Sequence, residues 1–214
     1  MKKAYIFDLD GTIVDSMTCG WVEMLTGFLA QRGIAYPDDL VKRVIPLGVA
    51  GCAKYYREEY GVTESVEEIV SIFRETLREK YEKEILAKPN AETALRALKA
   101  KGVSLNVLTA SPHVFLDPCL KRLGLFDLFD NVWSSEDFSL TKADLEIYQA
   151  VADKLGLQKS DCVMVDDSIA VLRVAKKAGF QTIGIFDEFS SDMQTEMKET
   201  ADRYIYDFLE LIEN

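Results

Sequence analysis

The segment Phe7-Asp8-Leu9-Asp10-Gly11-Thr12 sets two carboxylates two residues apart, directly after a short apolar run. If that run is a β-strand, side chains at i and i+2 share a face. Both acids then point the same way at the strand's carboxyl end, where open α/β sheets place their ligands. Two carboxylates crowded together repel, so the arrangement is costly unless a cation or a substrate group compensates. The competing reading is an ordinary Asp-x-Asp-Gly turn. Other reactive side chains are sparse. His113 is the single histidine, which excludes a two-His metal site and any mechanism needing two imidazoles. Cys19, Cys52, Cys119 and Cys162 form no Cys-x-x-Cys pair, so neither zinc nor dithiol chemistry is indicated. They read as buried or incidental thiols in a reducing cytoplasm.

The elements that must position the two aspartates follow from the apolar pattern. Lys3 to Leu9 reads as a buried strand, ended by Gly11. Similar runs at Val103 to Leu108, Asn131 to Trp133, Cys162 to Val165 and Thr182 to Phe186 bring the expected strands to five. Between them lie helical patterns at Ala91 to Lys101, Val114 to Leu123, Asp144 to Leu155 and Ser168 to Ala178, closed by Gly102, Gly124, Gly156 and Gly179. Helix, glycine and strand in repetition give an α/β fold, a Rossmann-like parallel sheet with helices on both faces. Residues 16–85 break the rhythm. They show no strand, only amphipathic segments at Met17 to Gln31, Pro37 to Val44, Ala50 to Tyr60 and Val66 to Lys83. A crossover between parallel strands needs one helix, so several read as an inserted α-helical cap. The expected division is a core of residues 1–15 and 86–214 and a cap of residues 16–85, with Trp21, Phe28, Tyr55 and Tyr56 in the cap's own core.

The 214 residues are 48 % hydrophobic and 29 % charged, enough to bury a core and unlike a disordered chain. Twenty-five basic against 36 acidic residues give a formal charge of −11, which argues against nucleic acid and against anionic membrane surfaces as partners. No apolar run reaches membrane-spanning or secretory length, so a cytoplasmic location is expected, with a monomer favoured.

Four segments together resemble the motifs of the haloacid dehalogenase-like hydrolase superfamily, in particular its phosphoglycolate phosphatase and β-phosphoglucomutase-like members with a helical cap. They are Phe7-Asp8-Leu9-Asp10-Gly11-Thr12, Leu108-Thr109-Ala110-Ser111, Lys142 in Thr141-Lys142-Ala143-Asp144, and Val165-Asp166-Asp167-Ser168. They occur in the family's order, at the expected strand ends and helix starts, over essentially the whole chain. The resemblance implies a Mg²⁺-dependent phosphatase for a small phosphorylated metabolite such as phosphoglycolate or a sugar phosphate. Asp8 would be the nucleophile, forming an aspartyl-phosphate. Asp10 would act as general acid and base, with its backbone carbonyl on the metal. Asp8, Asp167 and waters would complete the metal's oxygen ligands, with Asp166 as direct or outer support. Thr109 and the Ala110 amide would hold phosphoryl oxygens, and Lys142 would neutralise the charge shared by nucleophile and phosphoryl group.

Each assignment has a plainer competitor. Thr109 could merely end a strand, Lys142 could be a solvated lysine, and Asp166 and Asp167 could cap the next helix. The chain also departs from the family pattern, because Ala143 and Leu145 stand where prolines usually follow the lysine, which makes that loop less rigid. Only 33 residues separate Thr109 from Lys142, which excludes a large second cap. Lys42, Arg43 and Lys54, flanking a Gly48 to Gly51 turn, are the cap residues expected to meet substrate.

Among other activities, a hexose-phosphate mutase of the β-phosphoglucomutase type is the main alternative, although Met17 to Trp21 lacks the histidine those mutases usually present there. A 2-haloacid dehalogenase would carry one aspartate and no metal, against Asp10 and the acidic pair. A phosphonate-cleaving relative would need a cap lysine as Schiff base, and a catalytically silent binding module would not need the acids.

Overall fold

The computed structural model describes residues 3–213. The chain divides into two compact units: Ser16–Ile85 forms one, and the stretches up to Asp15 and from Leu86 onward form the other.

In the second of these, the core unit, six strands make one sheet in which every neighbouring pair is parallel. They are β1 (Ala4–Phe7), β2 (Ser104–Thr109), β3 (Asn131–Ser134), β4 (Cys162–Asp166), β5 (Gln181–Ile185) and β6 (Arg203–Ile205), in the order β3-β2-β1-β4-β5-β6. Five were expected. The sixth was missed because Arg203–Ile205 has three residues of which only Ile205 is buried, too short and polar to register as an apolar run. All of β2 and β4 is buried, as strands covered on both faces require. The helices α5 (Ala91–Ala100), α6 (His113–Arg122), α7 (Leu145–Leu155) and α8 (Ile169–Ala178) fill the crossovers. The last two stop at Gly156 and Gly179, with φ of 64° and 101°, where a left-handed residue ends a helix and only glycine enters without a steric cost.

The strand order fixes where a site belongs. From β1 the chain builds outward through β2 to β3. It then returns to β1's other side and builds outward again through β4, β5 and β6. The order reverses between β1 and β4, and open α/β sheets bind their ligands outside the carboxyl ends of the strands at such a point.

The helical unit consists of α1 (Glu23–Ala30), α2 (Leu40–Val44), α3 (Gly48–Tyr60) and α4 (Val66–Lys83), entered through a wide helical turn at Met17–Val22. On α4, Ile69, Phe73, Leu77 and Tyr81 recur every fourth residue and are all buried, the stripe one apolar helix face produces. Ser65 and Glu68 cap its start reciprocally. Phe28 packs on Tyr56 and Phe73, with ring centroids 5.8 and 5.1 Å away. Of the four aromatics expected in this core, Phe28 and Tyr56 are buried, while Trp21 and Tyr55 are half-buried.

All four cysteines are free. Burial pushes the thiol of Cys52 up to about 12 and that of Cys162 up to about 11, so both stay protonated and unreactive. No helix among the described residues is long and apolar enough to cross a membrane.

Candidate active site

β1 ends at Phe7, so Asp8 and Asp10 lie just past the strand and not on it. The Asp8 N–H still donates to the Val165 carbonyl at 2.9 Å, which holds Asp8 against β4, and its side chain is buried. Beyond it the chain folds into a tight turn. The Ile13 and Val14 amides both reach back to the Leu9 carbonyl, at 2.9 and 3.0 Å. Gly11 has a φ of 74°, and the Thr12 hydroxyl donates to Asp167 Oδ1 at 3.0 Å.

From the end of β4 come Asp166, fully buried, and Asp167, 9 % exposed. Together with Asp8 they form a cluster in which one carboxylate oxygen from each residue lies within 4.8 Å of the other two. One cation answers them. The Lys142 ammonium is 2.7 Å from Asp8 Oδ1 and 2.9 Å from Asp166 Oδ2. Asp166 Oδ1 also accepts the Ser168 N–H at 2.8 Å, so one oxygen of Asp166 holds the turn that leads into α8 and the other meets the lysine.

The electrostatics reflect this crowding. Burial pushes the Asp8 carboxyl up to about 7, with the Asp166 and Asp10 charges adding to the rise and Lys142 opposing it. Asp167 is also pushed well above the ordinary carboxylate range, by burial first and then by Asp166, Asp8 and Asp187. Burial alone would lower Lys142, but Asp166 and Asp8 outweigh it and hold the ammonium above its usual value. Three buried carboxylates against one ammonium leave negative charge uncompensated. A donor set of hard carboxylate oxygens suits a small divalent cation.

Asp10 is only half-buried, and its side chain is outside this cluster. Its Oδ2 accepts the Ser111 hydroxyl at 2.5 Å. Ser111 is in turn anchored through its N–H to Thr109 Oγ1, at 3.0 Å. Thr109 closes β2 and is buried, while Ala110 is exposed. Asp8, Thr109, Lys142, Asp166 and Asp167 thus all sit at or just beyond carboxyl ends of central strands, or reach them with their side chains. Arg43 and Lys54 stand in the helical unit, on α2 and α3, both exposed. Arg43 pairs with Asp39 at 2.7 Å.

Sequence reasoning missed several partners. Thr12, Ser111 and Ser168 each orient a carboxylate of the site, and Ser111 could have been suspected from standing two residues after Thr109. Lys88 and Asp187 were missed entirely. Their ion pair, at 2.7 Å, is almost wholly buried, and Lys88 also donates to the carbonyl of Phe186, 98 residues away, a juxtaposition without local signal. His113 pairs with Asp117 and Asp137 at 2.8 and 2.9 Å.

A family model described as haloacid dehalogenase-like hydrolase matches residues 2–179. YhcW of Bacillus subtilis, which bears a provisional name as a phosphatase, is 31 % identical, the match covering 86 % of this chain and 83 % of that protein. The phosphoglycolate phosphatase of Rhodospirillum rubrum is 31 % identical over 86 % of this chain and 79 % of its own. Among solved structures, a Thermotoga maritima protein provisionally named a β-phosphoglucomutase superposes with a TM-score of 0.84. It covers 99 % of this chain and 98 % of its own at 23 % identity, which speaks for the fold.

Proposed function

Because the chain belongs to the haloacid dehalogenase-like hydrolase family and is an enzyme that hydrolyses phosphate esters, we propose that it cleaves a small phosphomonoester, of the phosphoglycolate or sugar-phosphate kind, through an aspartyl-phosphate on Asp8. The observation that carries this reading is the buried Asp8 carboxylate, held 2.7 Å from the Lys142 ammonium beside two further carboxylates.

Asp8 must be ionised to attack. Burial, with the Asp166 and Asp10 charges, pushes its carboxyl up to about 7 even against the opposing Lys142 ammonium, so positive charge at its side favours the attacking form. The Asp8 oxygen attacks phosphorus and forms an O–P bond as the ester P–O bond breaks. Asp10 gives its proton to the departing alkoxide. It then takes one from the water that attacks the aspartyl-phosphate, releasing inorganic phosphate and restoring Asp8. The Thr109 hydroxyl and the Ala110 amide hold phosphoryl oxygens, and Lys142 balances the charge building on them.

Asp8, Asp166 and Asp167, with the Asp10 carbonyl, would hold Mg²⁺. When bound, Mg²⁺ lets a phosphate dianion approach the carboxylates and draws charge from the phosphoryl oxygens.

The test is a panel of phosphate esters with and without Mg²⁺, comparing the parent with Asp8→Asn and Asp10→Asn. Metal-dependent release of phosphate that Asp8→Asn abolishes is the expected result. Activity surviving Asp8→Asn rejects the covalent route, and conversion of glucose 1-phosphate to glucose 6-phosphate would show a mutase.

A further inference from the structure

The loop that presents Lys142 is flanked by Ala143 and Leu145, neither of which restrains the backbone as a proline ring would. Hydrogen bonds fix it instead. Asp144 Oδ2 accepts both the N–H and the hydroxyl of Thr141, each at 2.8 Å. The Thr141 Oγ1 accepts the Ala143 N–H at 3.3 Å. From the opposite side, the Tyr148 hydroxyl donates to the Lys142 carbonyl at 2.7 Å.

The Tyr148 ring is fully buried and meets Phe180 edge-on, with centroids 5.3 Å apart. Its hydroxyl is therefore carried by the hydrophobic core rather than by the loop it holds. This matters because a lysine side chain is long and flexible. Its ammonium keeps one position between Asp8 and Asp166 only if the backbone that carries it is fixed.

We infer that Tyr148 is a positioning residue for Lys142, locking the lysine's carbonyl to the core, while Thr141 and Asp144 clamp the exposed side of the same loop. The inference rests on the assignment of Lys142 to charge neutralisation made above. Replacing Tyr148 with Phe keeps the ring in its slot and removes only the bond to the carbonyl. The loop then gains freedom, and the ammonium spends less time within reach of Asp8 and the phosphoryl group.

A second substitution separates loop fixation from core packing. Leu145 is the first residue of α7, a position where the N–H has no intrahelical acceptor. Asp144 before it is extended, with φ −90° and ψ 128°, as a residue preceding proline must be. Leu145→Pro should therefore stiffen the loop without touching Tyr148 or Lys142.

The experiment measures steady-state hydrolysis of p-nitrophenyl phosphate with Mg²⁺, competitive inhibition by inorganic phosphate, and melting temperature. The proteins are the parent, Lys142→Ala, Tyr148→Phe, and Tyr148→Phe combined with Leu145→Pro. Tyr148→Phe is expected to lower kcat about tenfold, the scale of effect a small misplacement of a reacting group produces. It should weaken inhibition by phosphate in parallel, and Leu145→Pro should recover most of both losses. If Tyr148→Phe folds poorly, Thr141→Val, at an exposed position, tests the same loop with a smaller loss and the same recovery.

Parental kcat in Tyr148→Phe beside an inactive Lys142→Ala overturns the inference and leaves the functional reading standing. A loss that follows the melting temperature and that Leu145→Pro does not recover also overturns it, by placing the effect in the core. Parental activity in Lys142→Ala overturns the functional reading itself, and the inference with it.

Discussion

A Cβ built on Gly11 would lie 2.5 Å from Oδ2 of Asp167, so the turn after β1 and the carboxylate after β4 are in direct contact with no room between them. Gly11 also has a φ of 74°, where a side chain costs about 1–2 kcal/mol. Gly11→Ala is therefore expected to destabilise the protein by at least that amount in a urea titration. It should also displace Asp167 and depress metal-dependent hydrolysis more than the stability loss explains. Gly27, inside α1 with nothing within 4 Å of its would-be Cβ, is the contrast. There Gly→Ala should stabilise by about 0.5–1 kcal/mol.

The carboxylate cluster predicts a trade between stability and function. Burial and its acidic neighbours push Asp167 well above the ordinary carboxylate range, so without metal its charge is a burden on the fold. Asp167→Asn keeps an oxygen to accept the Thr12 hydroxyl and removes the charge. After EDTA treatment the variant should melt higher than the parent, by the equivalent of about 1–2 kcal/mol. Adding Mg²⁺ should raise the parent's melting temperature and leave the variant's almost unmoved. An equal shift in both would show that Asp167 is not a ligand.

How much of this was legible depended on whether the signal was local. The parallel sheet showed in the alternation of apolar runs and glycine-stopped helices, because each element announces its own burial. Asp8 showed through its spacing from Asp10 after an apolar run, whereas Asp166 and Asp167 showed only through the resemblance of four ordered segments to the family's motifs. What orients them did not show. Thr12 touches Asp167 across 155 residues of sequence and Ser111 touches Asp10 across 101, distances at which no periodicity survives. β6 escaped notice because one buried residue makes no pattern, and nothing local to Asp10 announced that its side chain accepts the hydroxyl of Ser111.

That hydroxyl yields a prediction of its own. Ser111 is 5 % exposed and donates to Asp10 Oδ2 at 2.5 Å, so it fixes the direction of the proposed general acid. Ser111→Ala should reduce kcat for an alkyl phosphate about tenfold, a part of the roughly 10²–10⁴-fold that general acid catalysis contributes. It should act much less on p-nitrophenyl phosphate, whose phenolate departs without a proton. An equal loss on both substrates would point to phosphate binding instead of proton transfer.

Lys88 and Asp187 make the sharpest stability prediction. Their side chains are 11 % and 4 % exposed and lie 2.7 Å apart, and Lys88 Nζ also donates to the Phe186 carbonyl at 2.8 Å. Lys88→Met removes the cation and leaves Asp187 buried with its charge unanswered. Breaking one side of a buried pair costs about 3–5 kcal/mol. The double variant with Asp187→Leu should recover much of the loss. If Lys88→Met melts like the parent, water must reach Asp187.

His113 supplies the pH dependence. Its Nδ1 faces Asp117 at 2.8 Å and its Nε2 faces Asp137 at 2.9 Å, so both ring nitrogens donate and the protonated form is favoured. Lys121, 3.9 Å from Asp117, is the other charge nearby. The bond to Asp117 raises the His113 pKa above its usual value, with partial burial opposing and Asp137 assisting. A raised folded-state value means that the native protein holds this proton more tightly than the unfolded chain does. The stabilisation is therefore complete below the unfolded value of about 6.5 and disappears as pH climbs through the higher native one. With the imidazole 41 % exposed, solvent screening keeps the effect to no more than about 1 kcal/mol. The melting temperature of the parent should exceed that of His113→Gln most clearly near pH 6, converge with it in alkaline buffer, and converge earlier in high salt. A gap that widened with rising pH would mean that the imidazole acts as a neutral hydrogen-bonding group.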